Sequence, residues 1–514
     1  MSLLISINFK TSTRLSYNIV TRFLSDESSR RFYNAAVFSI SFPLDNPTLF
    51  PTNSKNRTDK GGNLFPVFNP AASCEQLFDI SKKKVTMAKT EFSIEPHNFQ
   101  QSLAMVESVD SSMISSIIQT SSSILASWRD ETTALHRSKI LQQLSHLIHI
   151  NRDDLANIMT LESGKPLHES YAEIQYASSY IDFYAGETIR PTSAGGGFLI
   201  PTPFQNLQGK PKGTLMAIQQ AVGVTAMITP WNFPLAMITR KVAPALAVGC
   251  TTIVKPSDLT PLTALALQTL AQEAGLPSGV MQVIPVSKEE TASVGLELCT
   301  NPLVRKISFT GSTSVGKLLL QQASDTVKRM SLELGGNAPF IVFEDADIDQ
   351  AVQAATLSKF RNAGQTCVCA DRFIIHESIE DIFIDKLKER VCKIKVGPGL
   401  LKETTMGPLI SSAAMNRVWT KVQDALSCRE TSVELVYGGS PMPQLGPNYF
   451  EPTILRNVSP SSHLWKSETF GPVVPITTFK YDEEALELAN REKEGLAAYF
   501  CTRDLSRIFR FASR

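Results

Sequence analysis

Val222-Gly223-Val224-Thr225-Ala226-Met227-Ile228 is a run of small and branched apolar residues, and it opens a long alternation of short apolar runs with helical patterns. A strand that is apolar on both faces is one covered on both faces, the habit of parallel sheets. Helical spacing follows over Ala236 to Val248, then a strand at Thr251-Thr252-Ile253-Val254. A helix from Leu262 to Ala274 is closed by Gly275 and Pro277, and Met281-Gln282-Val283-Ile284 and Lys306-Ile307-Ser308-Phe309 read as two more strands. Strands joined by helices in this rhythm are βαβ units, so the chain is an α/β protein built on a parallel sheet. After Gly336 a second alternating set begins, with helices near Asp347–Phe360, Ile379–Val391 and Ala413–Leu426.

Upstream the pattern changes. Apolar spacing of three and four resumes from Met113 and runs through Trp128, Leu141, Leu144 and Leu147. Leu161-Glu162-Ser163-Gly164-Lys165-Pro166 stops one such helix with Gly and then Pro. Phe42 to Asn63 reads as loop, and Cys74 to about Met105 as an irregular, partly basic insertion around Lys82-Lys83-Lys84.

With 514 residues the chain is long enough for two or three domains, and 43% apolar content is ordinary for a globular protein. A net charge of +1 gives no reason to expect nucleic acid or an acidic membrane surface as partner, and no apolar run is long enough to span a bilayer. The eight cysteines are scattered apart from Cys367 and Cys369, with no metal-ligand spacing and no disulfide framework, which fits a reducing compartment. Lys10, Arg14, Arg22, Arg30 and Arg31 stand among many Ser and Thr with only Asp26 and Glu27 as acids. That bias resembles a mitochondrial transit peptide over residues 1–34, the alternative being a tail with no address.

Two short segments carry chemistry. Gly364-Gln365-Thr366-Cys367 places a cysteine in a tight polar turn, a candidate nucleophile. Glu333, at the end of the strand-like run Arg329-Met330-Ser331-Leu332-Glu333-Leu334 and before Gly335-Gly336, is a candidate base. Phe309-Thr310-Gly311-Ser312 ends a strand and opens a helix carrying Gly316, so its amides can face a pyrophosphate. By itself each of these is an ordinary feature of α/β proteins.

Together, and in this order with Pro230-Trp231-Asn232-Phe233-Pro234, Lys255-Pro256-Ser257 and Glu468-Thr469-Phe470-Gly471-Pro472, they resemble the NAD(P)-dependent aldehyde dehydrogenases from about Phe65 onward. The resemblance implies a Rossmann-like NAD-binding domain over 35–197 and 221–333 and an α/β catalytic domain over 334–514. It also implies a β oligomerisation arm over 198–220, and so a homotetramer or homodimer. Cys367 would be the nucleophile and Glu333 the base that activates water. The Asn232 amide and the Cys367 N–H would be the oxyanion donors. Positive potential near Cys367, to which Lys241 could contribute if it is not a surface lysine, would lower the thiol pKa.

For the cofactor the resemblance assigns Trp231, Lys255, Ser257, Asp258, Gly311, Ser312, Glu468 and Phe470. Lys255 and Asp258 fall on the adenosine ribose and Glu468 on the nicotinamide ribose. An acid at Asp258 repels a 2′-phosphate, which tilts the choice to NAD, while Ser257 helps tolerate NADP. Arg240 and Arg361 fall at substrate-lining positions. They imply an anionic semialdehyde, since each guanidinium can clamp a carboxylate. The pattern is similar to the succinate-semialdehyde branch of the family, with glutarate semialdehyde the close alternative. Cys369 is either a redox partner for Cys367 or a small packed residue. The family pattern continues for several tens of residues past Arg514, so the expectation for this chain divides between an active enzyme and a nucleotide-binding relative without turnover.

Overall fold

The computed structural model describes residues 64–68, 102–190, 196–210, 213–428 and 432–514. The transit-peptide reading of 1–34 lies outside them. Strand β1 (Leu64–Phe68) pairs antiparallel with β2 (Ser102–Glu107), Phe65 opposite Val106. The stretch expected to be irregular as far as Met105 therefore ends in a strand. Six residues, of which Leu103, Ala104 and Val106 are buried, are too few for period alone to reveal them.

Five helices follow: α1 (Ser111–Ser123), α2 (Leu125–Asp130), α3 (Ala134–Ile150), α4 (Arg152–Ser163) and α5 (Leu167–Thr188). Their starts and stops are chemical. Asp110 Oδ1 accepts from Ser112 N at 2.9 Å to cap α1, and Thr133 Oγ1 accepts from His136 N at 3.1 Å to cap α3. α4 ends in left-handed Gly164, and Pro166 then turns the chain into α5. Trp128, Leu141, Leu144 and Ile148 go into one core with the inner faces of the later helices. A hairpin of β3 (Gly197–Pro201) and β4 (Thr214–Ile218) comes next, Leu199 opposite Met216, and every residue of both strands is exposed.

The expected parallel sheet is then laid down by β5 (Val224–Ile228), α6 (Ala236–Ala247), β6 (Thr251–Lys255), α7 (Pro261–Glu273), β7 (Met281–Val283), α8 (Thr291–Thr300), β8 (Val304–Thr310), α9 (Thr313–Gln322) and β9 (Arg329–Glu333). Its order is β7-β6-β5-β8-β9 and every pairing is parallel. The chain builds outward from β5 to β7, then crosses back to place β8 on the other side of β5. The order thus reverses between β5 and β8, and in open α/β sheets the crevice at such a reversal, beyond the carboxyl ends of the strands, takes the ligand.

The second sheet uses β10 (Ala338–Val342), α10 (Ile348–Phe360), β11 (Ala370–His376), α11 (Glu380–Val391), α12 (Ser412–Leu426), β12 (Glu434–Tyr437), β13 (Thr453–Arg456), α13 (His463–Lys466), β14 (Val473–Phe479), α14 (Asp482–Asn490), β15 (Tyr499–Cys501) and α15 (Leu505–Ala512). The order is β12-β13-β14-β11-β10-β15, with only β12 antiparallel to its neighbour. Its core is aromatic: the Phe340 and Phe373 rings lie 5.2 Å apart, and both are fully buried. Truncating such a ring to alanine costs about 3–5 kcal/mol. α15 is fastened by Phe511 against Phe343 and by Arg507, which reaches Glu344, Asp345 and Asp482. Among the described residues no helix is long and apolar enough to cross a membrane.

Candidate active site

Four carboxyl ends of one sheet meet at the order reversal. β5 delivers Trp231 and Asn232, β6 delivers Lys255, β8 delivers Gly311 and β9 delivers Glu333. Gly311 N donates to Glu333 O at 3.0 Å, which ties the β8 and β9 ends together. Ser312 caps α9 by accepting from Val315 N at 3.4 Å, and the first amides of that helix open on the crevice. Lys255 is buried, and its ammonium donates to Pro256 O at 3.3 Å, leaving donors that suit ribose hydroxyls. Burial lowers its pKa, with the nearby Asp258 opposing. Ser257 Oγ donates to Asp258 Oδ1 at 3.2 Å, so these two form one polar pair beyond β6. A helix start and a buried cation as donors, with a carboxylate as acceptor, are a fitting polar set for a dinucleotide.

The second sheet brings Cys367, the candidate nucleophile. After α10, Asn362, Ala363 and Gly364 are all left-handed, at φ 51°, 53° and 75°, and this sharp coil sets the turn that carries Cys367. Gly364 permits a close approach as well, because a Cβ there would lie 2.2 Å from Gly471 O. The Glu468–Phe470 loop is thereby held against the cysteine turn. Gly336 does the same for the β9 loop, since its Cβ would lie 2.5 Å from Cys367 O. The result is a Cys367 Sγ to Glu333 Oε1 distance of 3.8 Å. Asn232 Nδ2 donates to Gln365 O at 3.1 Å, so the amide reaches the turn that carries Cys367. Gly336 N donates to Glu468 Oε1 at 3.4 Å, and the Phe470 ring meets Trp231 edge-on at 5.5 Å.

A cavity of about 910 Å³ adjoins this cluster. Arg240, Lys241, Lys306 and Arg329 line it with Glu333. Arg240 forms an ion pair with Glu333 and donates to Thr310 Oγ1 at 3.4 Å.

The profile of the family described as "Aldehyde dehydrogenase family" matches residues 85–514. The chain belongs to the aldehyde dehydrogenase family. The mitochondrial succinate-semialdehyde dehydrogenase of Homo sapiens is 47% identical over 388 residues, covering 75% of this chain and 70% of the relative. The glutarate-semialdehyde dehydrogenase of Pseudomonas aeruginosa is 46% identical over 397 residues, covering 77% and 78%. A solved structure titled "Crystal structure of E. coli NADP dependent enzyme" superposes with TM-score 0.80 at 41% identity, over 92% of this chain and 89% of that one. As a member of this family the chain is an NAD(P)-dependent oxidoreductase.

Several details of this aldehyde dehydrogenase depart from what its sequence led one to expect. Positive potential was expected to lower the Cys367 pKa. Instead burial raises it, the Glu468 carboxylate raises it further, and Arg240 only partly opposes them. Lys241 is no surface lysine. It is largely buried, donates to Ser308 Oγ at 3.0 Å, and is lowered to about 7 by burial and by the neighbouring Arg240 and Lys306. Glu468 is raised to about 7, chiefly by burial and then by Asp371. Arg361 does not join Arg240. It is exposed, and its guanidinium lies 5.0 Å from the Phe233 ring. Cys369 is fully buried, its thiol set toward Lys359 O at 3.9 Å and raised by burial to about 11, which favours packing over a disulfide with Cys367.

Other residues that build the site carry no motif. Tyr499 Oη donates to Val368 O at 2.6 Å and braces the cysteine turn from β15. The buried pair Lys359–Asp371 and the Lys421 ammonium, which donates to Glu468 O at 2.7 Å, support the Glu468 loop. Only a lysine far from any surface pattern marks such a role in a sequence, and lysines on helices are too common to single out.

Proposed function

We propose that this chain oxidises the semialdehyde of a short dicarboxylate, succinate semialdehyde first, to the dicarboxylate through a thioester on Cys367. The observation that carries the reading is the cavity lined by Glu333, whose carboxylate lies 3.8 Å from Cys367 Sγ, with Arg240, Lys306 and Arg329 and the depressed Lys241 against that one carboxylate. An uncharged aldehyde has no use for that field, whereas a carboxylate tail is drawn into it. Arg240, in that lining, is the carboxylate partner the cavity supports; Arg361, exposed against the Phe233 ring and outside the lining, is the second partner on its motif position alone. Arg240 has to release Glu333 to take the substrate, so docking of the anion also frees the base.

The chain's residues then act in turn. Deprotonated Cys367 Sγ adds to the aldehyde carbon, and the oxygen that becomes anionic is met by the Asn232 amide and the Cys367 N–H. When bound, the nicotinamide dinucleotide supplies the hydride acceptor. Glu333 takes a proton from the water that attacks the thioester, and the acid leaves with Cys367 restored. Lys255 and Asp258 hold the adenosine ribose, Gly311 and Ser312 the pyrophosphate, and Glu468 with Phe470 and Trp231 the nicotinamide end. Asp258 favours NAD, and Ser257 beside it leaves room for NADP. The fully exposed β3–β4 hairpin supports a homo-oligomer, tetramer or dimer. The basic residues within 1–34 and the mitochondrial human relative support the mitochondrial matrix as its place.

Glutarate semialdehyde is the second reading. One methylene is worth about 1–3 kcal/mol in a pocket of this kind, and the Pseudomonas aeruginosa relative carries that name. The test is kcat/KM for succinate semialdehyde, glutarate semialdehyde and butanal, with parent, Arg240→Leu and Arg361→Leu. The arginine variants should lose affinity for both semialdehydes and little for butanal. Equal losses on all three would remove the carboxylate clamp. Cofactor binding without any turnover would identify the chain as a relative that only binds nucleotide.

A further inference from the structure

Outside the residues that touch substrate or cofactor lies a buried ionic web that the chemistry above does not use. Lys165 and Glu173 form an ion pair at 2.5 Å with side chains 1% and 0% exposed. Lys165 follows the glycine that ends α4, and Glu173 lies two turns into α5, so both come from the helical layer. Yet both are aimed at the β5–α6 loop. Lys165 Nζ also donates to Asn232 O at 2.7 Å, and it sits 4.5 Å from the centroid of the Phe233 ring. Glu173 Oε1 accepts from Leu235 N at 2.9 Å and from Ala236 N at 3.2 Å, at the start of α6. The segment from Asn232 to Ala236 is thus gripped at three main-chain points by one ion pair.

A third helical-layer residue reaches the other side. Glu169, on α5 one turn before Glu173, accepts from Asn362 N at 2.9 and 3.1 Å. Asn362 Nδ2 in turn donates to Asn232 O at 3.1 Å and to Gln365 O at 3.3 Å. Asn232 Nδ2 donates to the same Gln365 carbonyl at 3.1 Å. That last bond decides which end of the Asn232 amide faces the cysteine turn, because of the amide's two ends only the nitrogen can donate to a carbonyl. Asn232 Oδ1 is left buried with no partner among the described residues, an arrangement that survives only if the surroundings dictate it.

We propose that Lys165 and Glu173, with Glu169 acting through Asn362, are positioning residues that set the Asn232 amide against Cys367. The proposal deepens the reading of Asn232 as oxyanion donor and rests on it. An apolar pair of the same volume would fill the space as well or better, since buried ion pairs seldom add net stability. It would not fix Asn232 O in direction, because apolar contacts are not directional whereas a charge-assisted hydrogen bond is. An oxyanion donor is worth about a hundredfold or more in rate, and only if it is within hydrogen-bond range of where the charge forms.

The test is the double variant Lys165→Met with Glu173→Gln. It removes both charges of the pair together, leaves Glu169 its Arg361 neighbour and Asn362 N, and keeps an amide oxygen for Leu235 N and Ala236 N. The readout is the first-turnover rate of reduced-cofactor formation with excess enzyme. That rate should fall about tenfold or more, since small misplacements of catalytic groups have effects of this size, while the cofactor KM stays within about twofold. In an Asn232→Ala background the same double substitution should change the rate by less than about twofold, because residues acting through one another are not additive. An unchanged rate in the parent background overturns the proposal, as does a full tenfold loss on top of Asn232→Ala. If Asn232→Ala alone leaves the rate unaltered, it is the oxyanion reading that falls. Should the double variant not fold, Asn362→Gly removes the bridging amide at a left-handed position that glycine accepts, and the same outcomes decide.

Discussion

Gly364→Ala is the most informative single perturbation of this site. Gly364 has φ +75°, and an added Cβ would lie 2.2 Å from Gly471 O and 2.4 Å from Gly471 C. Those are backbone atoms, so no side chain can rotate away. Restoring a tolerable separation of about 3.0 Å needs a movement of about 0.8 Å between the cysteine turn and the Glu468–Phe470 loop. Left-handed backbone at alanine adds about 1–2 kcal/mol and the overpacking about 1–3 kcal/mol, together about 2–5 kcal/mol of destabilisation. The larger effect is on rate. Cys367 lies on one of the two loops and Glu468 and Phe470, proposed for the nicotinamide end, on the other, and a misplacement near 1 Å costs about a hundredfold. Gly275→Ala is the control: its φ is +95°, yet nothing lies within 4 Å of the added Cβ. It should therefore suffer the backbone cost alone, about 1–2 kcal/mol, with kcat unchanged. Steady-state kcat and the thermal midpoint of both variants make the comparison. If Gly364→Ala keeps full kcat, or if both variants lose activity equally, the close contact does not align the two loops.

Glu333→Gln should still release one equivalent of reduced cofactor per site and then stall, because thioester hydrolysis loses its base; full steady-state turnover would assign the base elsewhere. Since burial and Glu468 both hold the Cys367 thiol above its ordinary range, alkylation by iodoacetamide should be slow at neutral pH and rise only at a higher pH than for a free cysteine. Glu468→Gln removes one raising charge, so it should shift that profile toward lower pH, and a shift toward higher pH would contradict the electrostatic account. Mild peroxide should inactivate Cys369→Ala as it does the parent, because the Cys369 thiol is packed at Lys359 O; protection by that substitution, with a Cys367–Cys369 peptide in the parent's mass map, would restore the disulfide.

How much of this was legible in the chain follows from how far each cause reaches. Strands β5, β6 and β8 and helices α6 and α7 appear in the sequence within a residue or two, because apolar period, Gly and Pro act on the residues beside them. Cys367 and Glu333 were legible as candidates because each sits in a short motif, ordinary by itself, that gains meaning from its order among the other motifs. Strand β2 escaped notice because its pairing with β1 crosses an unpatterned stretch, and an isolated six-residue run carries too little period.

What the sequence by itself determined is the α/β alternation, the family, and Cys367 and Glu333 as candidates for nucleophile and base. What only the tertiary structure decided is who faces whom. That Arg240 rests on Glu333 while Arg361 lies over Phe233 depends on packing between β9, α6 and α10. That Lys165 reaches Asn232 depends on a contact across 67 positions, and that Asn232 reaches Gln365 on one across 133. The Cys367 pKa rises because folding strips water from the thiol and sets Glu468 nearby. Hydrogen bonds and desolvation are set by distances in space, and a linear chain encodes those distances only through the fold as a whole.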